Sequence, residues 1–454
     1  MKKMKSIYTV LVSLLLLTAC DNDLDQTPPL LLESSGLEEF GPVLNAAYYY
    51  QTGSSTPMGV MGDFRADNML MLESPYTSFD TYNADLAGLD LVEQFFRPFY
   101  SNLYKAILSA NNVIENSTKP TEIAEAKFLR ALSYFKLVMV FGDVTVNLSP
   151  SPSPSDLSIL TRQPAADVYN NIIIPDFQAA IAGLDNSGLA SGRASRIAAQ
   201  AFLGKVYLYR GNFSEAATTL GTVVSGAAAA GISLESDFAN VVVDGNSEII
   251  FATQLSTSVP NAYGSATTFV GWFSGADTKS LTPLDPRLTA AFDASSAAGG
   301  GTDLRKALTI DTDNQNGSKK YTGALDQDYI ELRLSDVILM HAEALNETGS
   351  AATTVLPLLD PIRTRAGLNS LTGTVSSQAD VRQAIADERR VELALEGHRW
   401  FDLVRTGTVD AEMGATISSD YYVFPIPNSD CIVGIPAASP RATELLPKMM
   451  VTKP

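Results

Sequence analysis

The chain has 454 residues, of which 45% are hydrophobic and 18% are charged, so it can bury a large core and is not a disordered polyelectrolyte. Its formal net charge of −18 argues against nucleic-acid partners, because phosphate backbones are repelled by an acidic surface. The acidity fits either the solvated surface of an exported protein or a preference for cationic ligands. Length alone allows two or three domains or one large helical body.

The N-terminus has the pattern of a bacterial lipoprotein signal. Basic residues in Met1–Lys5 precede an apolar run at 7–17 that is too short to span a bilayer. The run ends in Leu-Thr-Ala-Cys20, which resembles a lipobox, and the acidic residues after it resemble a surface-export signal of Bacteroidota lipoproteins. The pattern predicts a signal peptide over 1–19, then an acylated Cys20 and a flexible tether over 20–36, with the lipid as membrane anchor. The alternative is an ordinary signal peptide with a chance cysteine.

Helical periodicity follows in separated blocks. Apolar residues recur at spacings of three and four over 92–114 and 121–141, which predicts a helix in each. Further helices are predicted at 164–184, 193–210, 213–222, 330–347, 351–366 and 379–397. Short connections such as Gly211-Asn212 favour antiparallel neighbours. The sequence therefore predicts a mainly α protein of helical hairpins, similar to tetratricopeptide (TPR) repeats but without their strict consensus.

Two segments, 51–90 and 252–328, are rich in Gly, Ser, Thr, Asn and Asp and lack sustained helical periodicity. Long irregular segments often carry function, so these are predicted to form the binding face. Aromatic rings there can lie against the apolar faces of sugars, while polar neighbours bond the hydroxyls. The predicted ligand contacts are Asp67, Tyr76, Phe79, Tyr82, Asn83, Tyr263, Phe269, Trp272 and Phe273. The alternative for each is packing of the loop onto the scaffold.

A charged block at 388–405 is the strongest candidate for catalysis. Arg389 with Glu392, and Glu396 with Arg399, stand three residues apart, which predicts pairs along one helix face. Glycoside hydrolysis needs two carboxylates that face each other across a cleft, not two stacked on one helix. We therefore predict a structural ion-pair network, with Trp400 and Phe401 as core anchors, and no enzyme activity.

No metal or cofactor is predicted. The histidines, His341 and His398, lack the spacing of zinc ligands, and there is no HExxH, Walker or dinucleotide-binding motif. The stretch Asp311–Gly317 lacks the ligand order of a calcium loop and is predicted to be a polar turn. Once Cys20 is acylated, Cys431 is the remaining thiol and is predicted to be a small buried hydrophobe.

Several stretches, in order along the chain, resemble the conserved blocks of the SusD/RagB family. They lie at 125–144, 192–213, 246–251, 330–346, 362–368, 388–405 and 424–427. The resemblance covers nearly all of the mature chain. It implies one TPR-like domain over 37–454 with variable segments near 51–90 and 252–328. It also implies an outer-membrane, cell-surface location and docking onto a SusC-like TonB-dependent transporter. The implied ligand is an oligosaccharide or polysaccharide. A peptide ligand is the alternative, and a secreted hydrolase is less favoured.

Overall fold

The computed structural model describes residues 39–153, 156–264, 268–274, 281–312, 317–321 and 326–427. The predicted signal peptide, Cys20, the tether and Cys431 lie outside these residues. Most of the described chain is helical, and its longer helices are α1 (Gly41–Asp63), α2 (Arg97–Asn116), α3 (Pro120–Phe141), α4 (Ile174–Gly183), α5 (Arg196–Tyr209), α6 (Phe213–Gly226), α7 (Pro286–Ala297), α8 (Leu334–Glu347), α9 (Gln378–Glu392) and α10 (Arg399–Thr406).

Shorter elements connect these helices. Short α-helices lie at Ser78–Thr81, Leu89–Leu91, Ala165–Val168, Phe269–Ser274, Arg305–Thr309, Ala352–Val355, Asp360–Arg365 and Val409–Met413. Turns of π-helix at Val92–Phe96 and Tyr169–Ile173 lead into α2 and α4. Turns of 3-10 helix lie at Ala84–Ala87, Leu157–Leu160, Ser187–Ser191, Ala228–Ala230, Phe238–Asn240, Leu356–Leu358 and Ser419–Tyr421.

The long helices stack in chain order. Helix α1 packs on α2, α2 on α3, α3 on α4, α4 on α5 and α5 on α6, and α8 then packs on both α6 and α9. Three residues separate α2 from α3, and three separate α5 from α6, so each pair forms a hairpin. The stack confirms the predicted mainly α, TPR-like architecture.

Local sequence signals set several helix ends. Gly142 ends α3 with φ of +72°, a conformation that costs glycine little. At the start of α5, the Ser195 hydroxyl accepts a hydrogen bond from the backbone N–H of Ala198. The predicted helix over 351–366 is instead three short turns, because Pro357 and Pro361 each lack the N–H that a continuous helix needs.

Within the described residues, short antiparallel strands form three two-stranded sheets: β1 (Val144–Thr145) with β2 (Arg162–Gln163), β3 (Ile249–Thr253) with β6 (Tyr329–Arg333), and β4 (Ile310–Asp311) with β5 (Gly317–Ser318). Strand β6 corrects the prediction of helix from residue 330, since α8 begins only at Leu334. All five residues of β6 are buried, so the polar–apolar alternation that identifies a half-exposed strand is missing.

Helix α1 corrects a second prediction, because it continues to Asp63 through the start of the segment 51–90. Gly, Ser, Thr and Pro57 are poor helix formers, but every residue from Gln51 to Asp63 is buried. Small residues are needed there: a Cβ on Gly53 would come within 2.4 Å of the Asn102 side chain, and one on Gly62 within 2.1 Å of the Gly397 carbonyl oxygen. Close packing of the helix therefore outweighs its low intrinsic propensity.

Candidate functional site

The structure brings the two predicted binding segments together. The backbone N–H of Leu70 donates to the carbonyl of Pro283 at 2.8 Å, and that of Leu72 donates to the carbonyl of Leu281 at 3.0 Å. Residues 69–72 thus run beside 281–284 as an irregular ribbon. Aromatic residues that lie far apart in the sequence become neighbours along this contact.

Trp272 is at the centre of the aromatic cluster that results. It lies on the short helix Phe269–Ser274, and its ring centroid is 5.7 Å from that of Phe64, 5.6 Å from that of Phe95 and 5.2 Å from that of Tyr76, all edge to face. Its indole N–H is buried and has no hydrogen-bond partner among the described residues. These contacts are those of a core side chain.

The predicted exposure of these rings is therefore wrong for most of them. Trp272 is 6% exposed. Four other residues of the predicted set are also buried, each 8% exposed or less: Phe79, Tyr263, Phe269 and Phe273. The rings pack on one another and on α1 because a large apolar area gains more from burial than from solvent contact. None of them presents a face on which a sugar ring can stack in this conformation.

The Asp67 carboxylate also makes its polar contacts within the protein. Its carboxylate accepts two hydrogen bonds from Arg399, at 2.7 and 3.0 Å, and lies 2.7 Å from Arg390. Burial alone would raise the pKa of Asp67, but these guanidinium groups hold it below its usual value. The side chain joins α1 to the C-terminal helices, so the prediction that it bonds a ligand hydroxyl is wrong for this conformation.

Tyr82 and Asn83 keep some exposed surface but have structural partners. The Tyr82 ring stacks on Trp400 at 5.9 Å, and its hydroxyl donates to the carbonyl of Arg65 at 2.9 Å. The Asn83 side chain accepts from the backbone N–H of Asp85 at 2.9 Å and thereby caps the next turn. Both residues are half-buried, so contact with a ligand stays a prediction for them.

Tyr76 is one of two half-buried aromatics of the predicted set, and unlike Tyr82 it has only a weak hydrogen bond at its hydroxyl. Its ring is half-buried with one edge against Trp272, and its hydroxyl lies 3.4 Å from Oε1 of Gln94, at the weak end of hydrogen bonding. Burial raises the pKa of Tyr263, and the nearby Tyr76 raises it further. We call Tyr76, Gln94, Tyr263 and Trp272 the Tyr76 face.

Sequence reasoning missed Gln94, because it lies in a block that was interpreted as a helix packed in the core. The structure places it in the π-helical turn Val92–Phe96, and such turns are frequent at functional sites. It also missed Asp80, whose carboxylate accepts a hydrogen bond from the Met71 N–H at 3.2 Å and so closes the loop that carries Tyr76. Burial raises the pKa of Asp80 to about 7.

The charged block at 388–405 is a closed network of ion pairs. Glu392 lies 2.9 Å from Arg305, 2.7 Å from Arg333 and 2.5 Å from Arg365, and its side chain is fully buried. The predicted network is confirmed, and Trp400 at 0% exposed is a core anchor as expected. Burial alone would raise the pKa of Glu392, but the three guanidinium groups hold it well below its usual range.

The predicted partners within this block are wrong, although the network itself is present. Arg389 pairs with Asp336 at 2.7 Å and with Asp402 at 3.1 Å, and Glu396 pairs with Lys320 and Arg333. Glu396 lies beyond the end of α9 at Glu392, so it does not share a helix face with Arg399, which begins α10. Arg389 and Glu392 are both on α9, but each pairs across the core instead: Arg389 with residues of α8 and α10, and Glu392 with Arg305, Arg333 and Arg365.

A cavity of about 400 Å³ lies between the α5–α6 hairpin and helices α8, α9 and α10. Its volume is in the range of small-molecule pockets. The charges on its walls are matched to one another: Arg382 contacts Glu347 at 2.6 Å, and Arg405 contacts Glu343 at 2.5 Å. These two pairs neutralise much of the charge on the cavity walls.

No group of three or more His, Cys, Asp or Glu side chains in the described ranges is arranged to hold a metal ion. Within the same ranges, none of the helices has the length and apolar character that a membrane span requires.

Comparison with known proteins identifies the family. A model described as "SusD family" matches residues 291–430, and a model described as "Starch-binding associating with outer membrane" matches residues 38–208. Together these matches cover well over half of the chain. The chain belongs to the SusD family. The SusD-like sequence blocks at 125–144 and 388–405 fall inside these two matches, one in each.

Relatives of this SusD family chain extend over most of its length. "SusD-like protein P2" of Formosa agariphila is 27% identical and aligns with 73% of this chain and 75% of its own. A solved structure titled "Laminarin binding SusD-like protein" is 25% identical, covers 87% of this chain and 97% of its own, and has a TM-score of 0.63. A SusD superfamily structure from Parabacteroides distasonis has a TM-score of 0.72 at 21% identity, over 88% of this chain and 97% of its own.

Proposed function

We propose that this chain is a lipid-anchored outer-membrane protein that binds glycans at the cell surface and delivers them to a SusC-like TonB-dependent transporter. It binds its ligand without transforming it. The observation that carries the proposal is the family match itself, whose N-terminal model is described as starch-binding and associated with the outer membrane. The laminarin-binding structure, similar over 87% of this chain, supports a glycan ligand.

The charged residues support binding rather than catalysis. Glu392 and Glu396, the best carboxylate candidates, are each buried and paired with arginine or lysine. A carboxylate held well below its usual pKa and closed off from solvent cannot donate a proton to a glycosidic oxygen. We therefore assign the pair to the scaffold.

We assign ligand contact to Tyr76 and Gln94 of the Tyr76 face, with Tyr82 and Asn83 near them in the chain; the buried Tyr263 and Trp272 support the Tyr76 ring. Tyr76 is available to stack on a sugar, while Trp272 holds it from behind at 5.2 Å. The weak contact between the Tyr76 hydroxyl and Gln94, at 3.4 Å, leaves both polar groups able to bond a hydroxyl of the ligand. A single aromatic platform with adjacent amide and hydroxyl groups suits one sugar ring.

The test is a titration of the full-length chain, purified in detergent, against laminarin, starch and a panel of peptides. We expect glycan binding, and we expect Tyr76→Ala to weaken it by about 2 kcal/mol, the threshold for a binding hot spot. The matched control is Tyr49→Ala, because Tyr49 is an exposed tyrosine on α1, 38% accessible, outside the proposed face. Binding of peptides without binding of any glycan would show that the ligand is a peptide.

The lipid anchor is tested separately. Cys20→Ala removes the only thiol in the predicted lipobox, so we expect loss of acylation and release of the chain from the membrane fraction. Cys431→Ala is the matched control and is expected to fractionate as the native chain does. Membrane association of the Cys20 variant equal to that of the native chain would contradict the anchor.

A further inference from the structure

The charge around the Tyr76 face is one-sided. Residues 69–94 contain five carboxylates and no lysine or arginine, and residues 249–275 contain no charged side chain at all. Three of the carboxylates, Glu73, Asp85 and Asp90, are exposed to solvent. None of these three forms a salt bridge with another described residue.

Lys279 lies outside the described residues; among the described ones, the basic side chains nearest in sequence are already engaged. Arg97 contacts Glu93 at 2.7 Å, and Arg287 contacts Asp285 at 2.6 Å. Arg65 is fully buried, and its guanidinium lies 5.0 Å from the ring centroids of both Tyr82 and Trp400. Within the described parts of 69–94 and 249–274, the chain therefore offers acceptors and exposed negative charge but no basic side chain to pair with an anionic sugar.

We propose that the Tyr76 face selects uncharged glycans and rejects polyanionic ones, those that carry uronate or sulfate groups. This inference rests on the proposed glycan capture at the same face. Sugar hydroxyls can donate hydrogen bonds to carboxylates and to Gln94, so an uncharged glycan meets no electrostatic repulsion at an acidic surface. A polyanion places repeated like charges within about 8 Å of that surface, where physiological salt does not screen them.

The test compares each neutral glycan that binds, laminarin or starch, with its own sulfated derivative, which shares the backbone. We expect the sulfated form to bind the native full-length chain at least about tenfold more weakly, and the difference to shrink as salt is raised. Binding of the neutral form should not change with salt. Equal or tighter binding of the sulfated form would overturn this inference while leaving glycan capture in place.

A charge-reversal variant locates the effect. Glu73→Lys with Asp90→Lys should strengthen binding of the sulfated glycan by about tenfold, because two repulsive charges become attractive. The matched control is Glu115→Lys with Glu215→Lys, which changes the net charge equally at exposed helix positions. Glu115 lies near the far end of α2, roughly 27 Å along the helix from Arg97.

The controls separate the two proposals. An equal gain in the control pair would show that net charge, not the Tyr76 face, sets the preference, and would overturn the inference. Glu73→Gln with Asp90→Asn should give a smaller gain, which guards against misfolding of the lysine pair. Absence of binding to every glycan, neutral and sulfated, would overturn the proposed function and this inference with it.

Discussion

The ion-pair network around Glu392 and the aromatic cluster around Trp272 are both buried. The network depends on specific pairs of charged groups, whereas the cluster depends on the packing of rings. In the network, each arginine meets carboxylates at hydrogen-bonding distance, as Arg333 does with Glu248, Glu392 and Glu396. In the cluster, the rings touch edge to face, and the indole N–H of Trp272 has no described partner. Charged groups need individual partners when buried, whereas rings need only a well-packed surface.

This difference shows which surfaces can take a ligand. A satisfied ion pair has no bonding capacity left, so the network has only a structural role. The cluster ends at Tyr76, a half-buried ring whose hydroxyl is weakly held, and the apolar packing behind it fixes its position. Rigid support beneath a partly free ring is what a binding platform requires.

The largest expected effect is in the network. Glu392→Gln leaves three buried guanidinium groups with one fewer negative partner, which should reduce the free energy of unfolding by about 3–5 kcal/mol. Urea denaturation followed by circular dichroism measures the change. The matched control is Glu347→Gln: its partner Arg382 is 48% exposed, and such a pair contributes about 1 kcal/mol or less. Equal losses in the two variants would remove the distinction between a closed network and a surface pair.

An effect of similar size is expected in the aromatic cluster. Trp272→Ala removes a buried ring and should cost about 3–5 kcal/mol of stability. The glycan affinity of the folded fraction should fall by less than it does in Tyr76→Ala, because Trp272 positions the Tyr76 ring without contacting the ligand itself. Trp272→Phe should cost less, since the indole N–H has no described partner to lose. A thermal melt and a titration on each variant measure both quantities. Unchanged stability with lost affinity would instead make Trp272 the platform.

The sequence predicted the network better than the cluster, for a physical reason. Arginine and glutamate in one block must find partners if they are buried, so a network could be inferred, but its partners could not. Asp336 and Glu248 come from other blocks and are brought in by α8 and β3–β6 packing. The aromatic residues lie among glycines and serines, which suggested loops. Their burial depends on α1, whose helix could not be recognised from residues such as Gly53 and Pro57.

A further expected effect depends on pH. Burial raises the pKa of Asp80 to about 7, so the folded chain retains a proton there that the unfolded chain, with a pKa of about 3.9, has released. Stability from this group is therefore lost as the pH rises from about 4 to about 7. Asp63 and Asp328, both raised by burial to about 6, act in the same direction.

Asp80→Asn removes one such group and keeps an oxygen that can accept the bond from Met71. The variant should match the native chain in melting temperature near about pH 4 and exceed it near about pH 8. Asp85→Asn, at an exposed position, is the control and should leave the pH profile as it is. A native-like profile in the Asp80 variant would show that the carboxyl is ionised in the folded chain.

The contact between the end of α1 and the residues around Gly397 makes folding of the N-terminal part depend on residues that are synthesised late. Gly397 donates its N–H to Asp63 at 2.7 Å across 334 positions of sequence, and Arg65 donates to the carbonyl of Tyr421 across 356. At synthesis rates of about 5–20 residues per second, the start of the chain waits roughly twenty seconds to a minute for these partners. During that time the Asp63 carboxylate and the Arg65 guanidinium have only the partners close to them in sequence, Asn68 and the Phe79 carbonyl. We therefore expect a chain truncated before Gly397 to be less stable and more open to proteases.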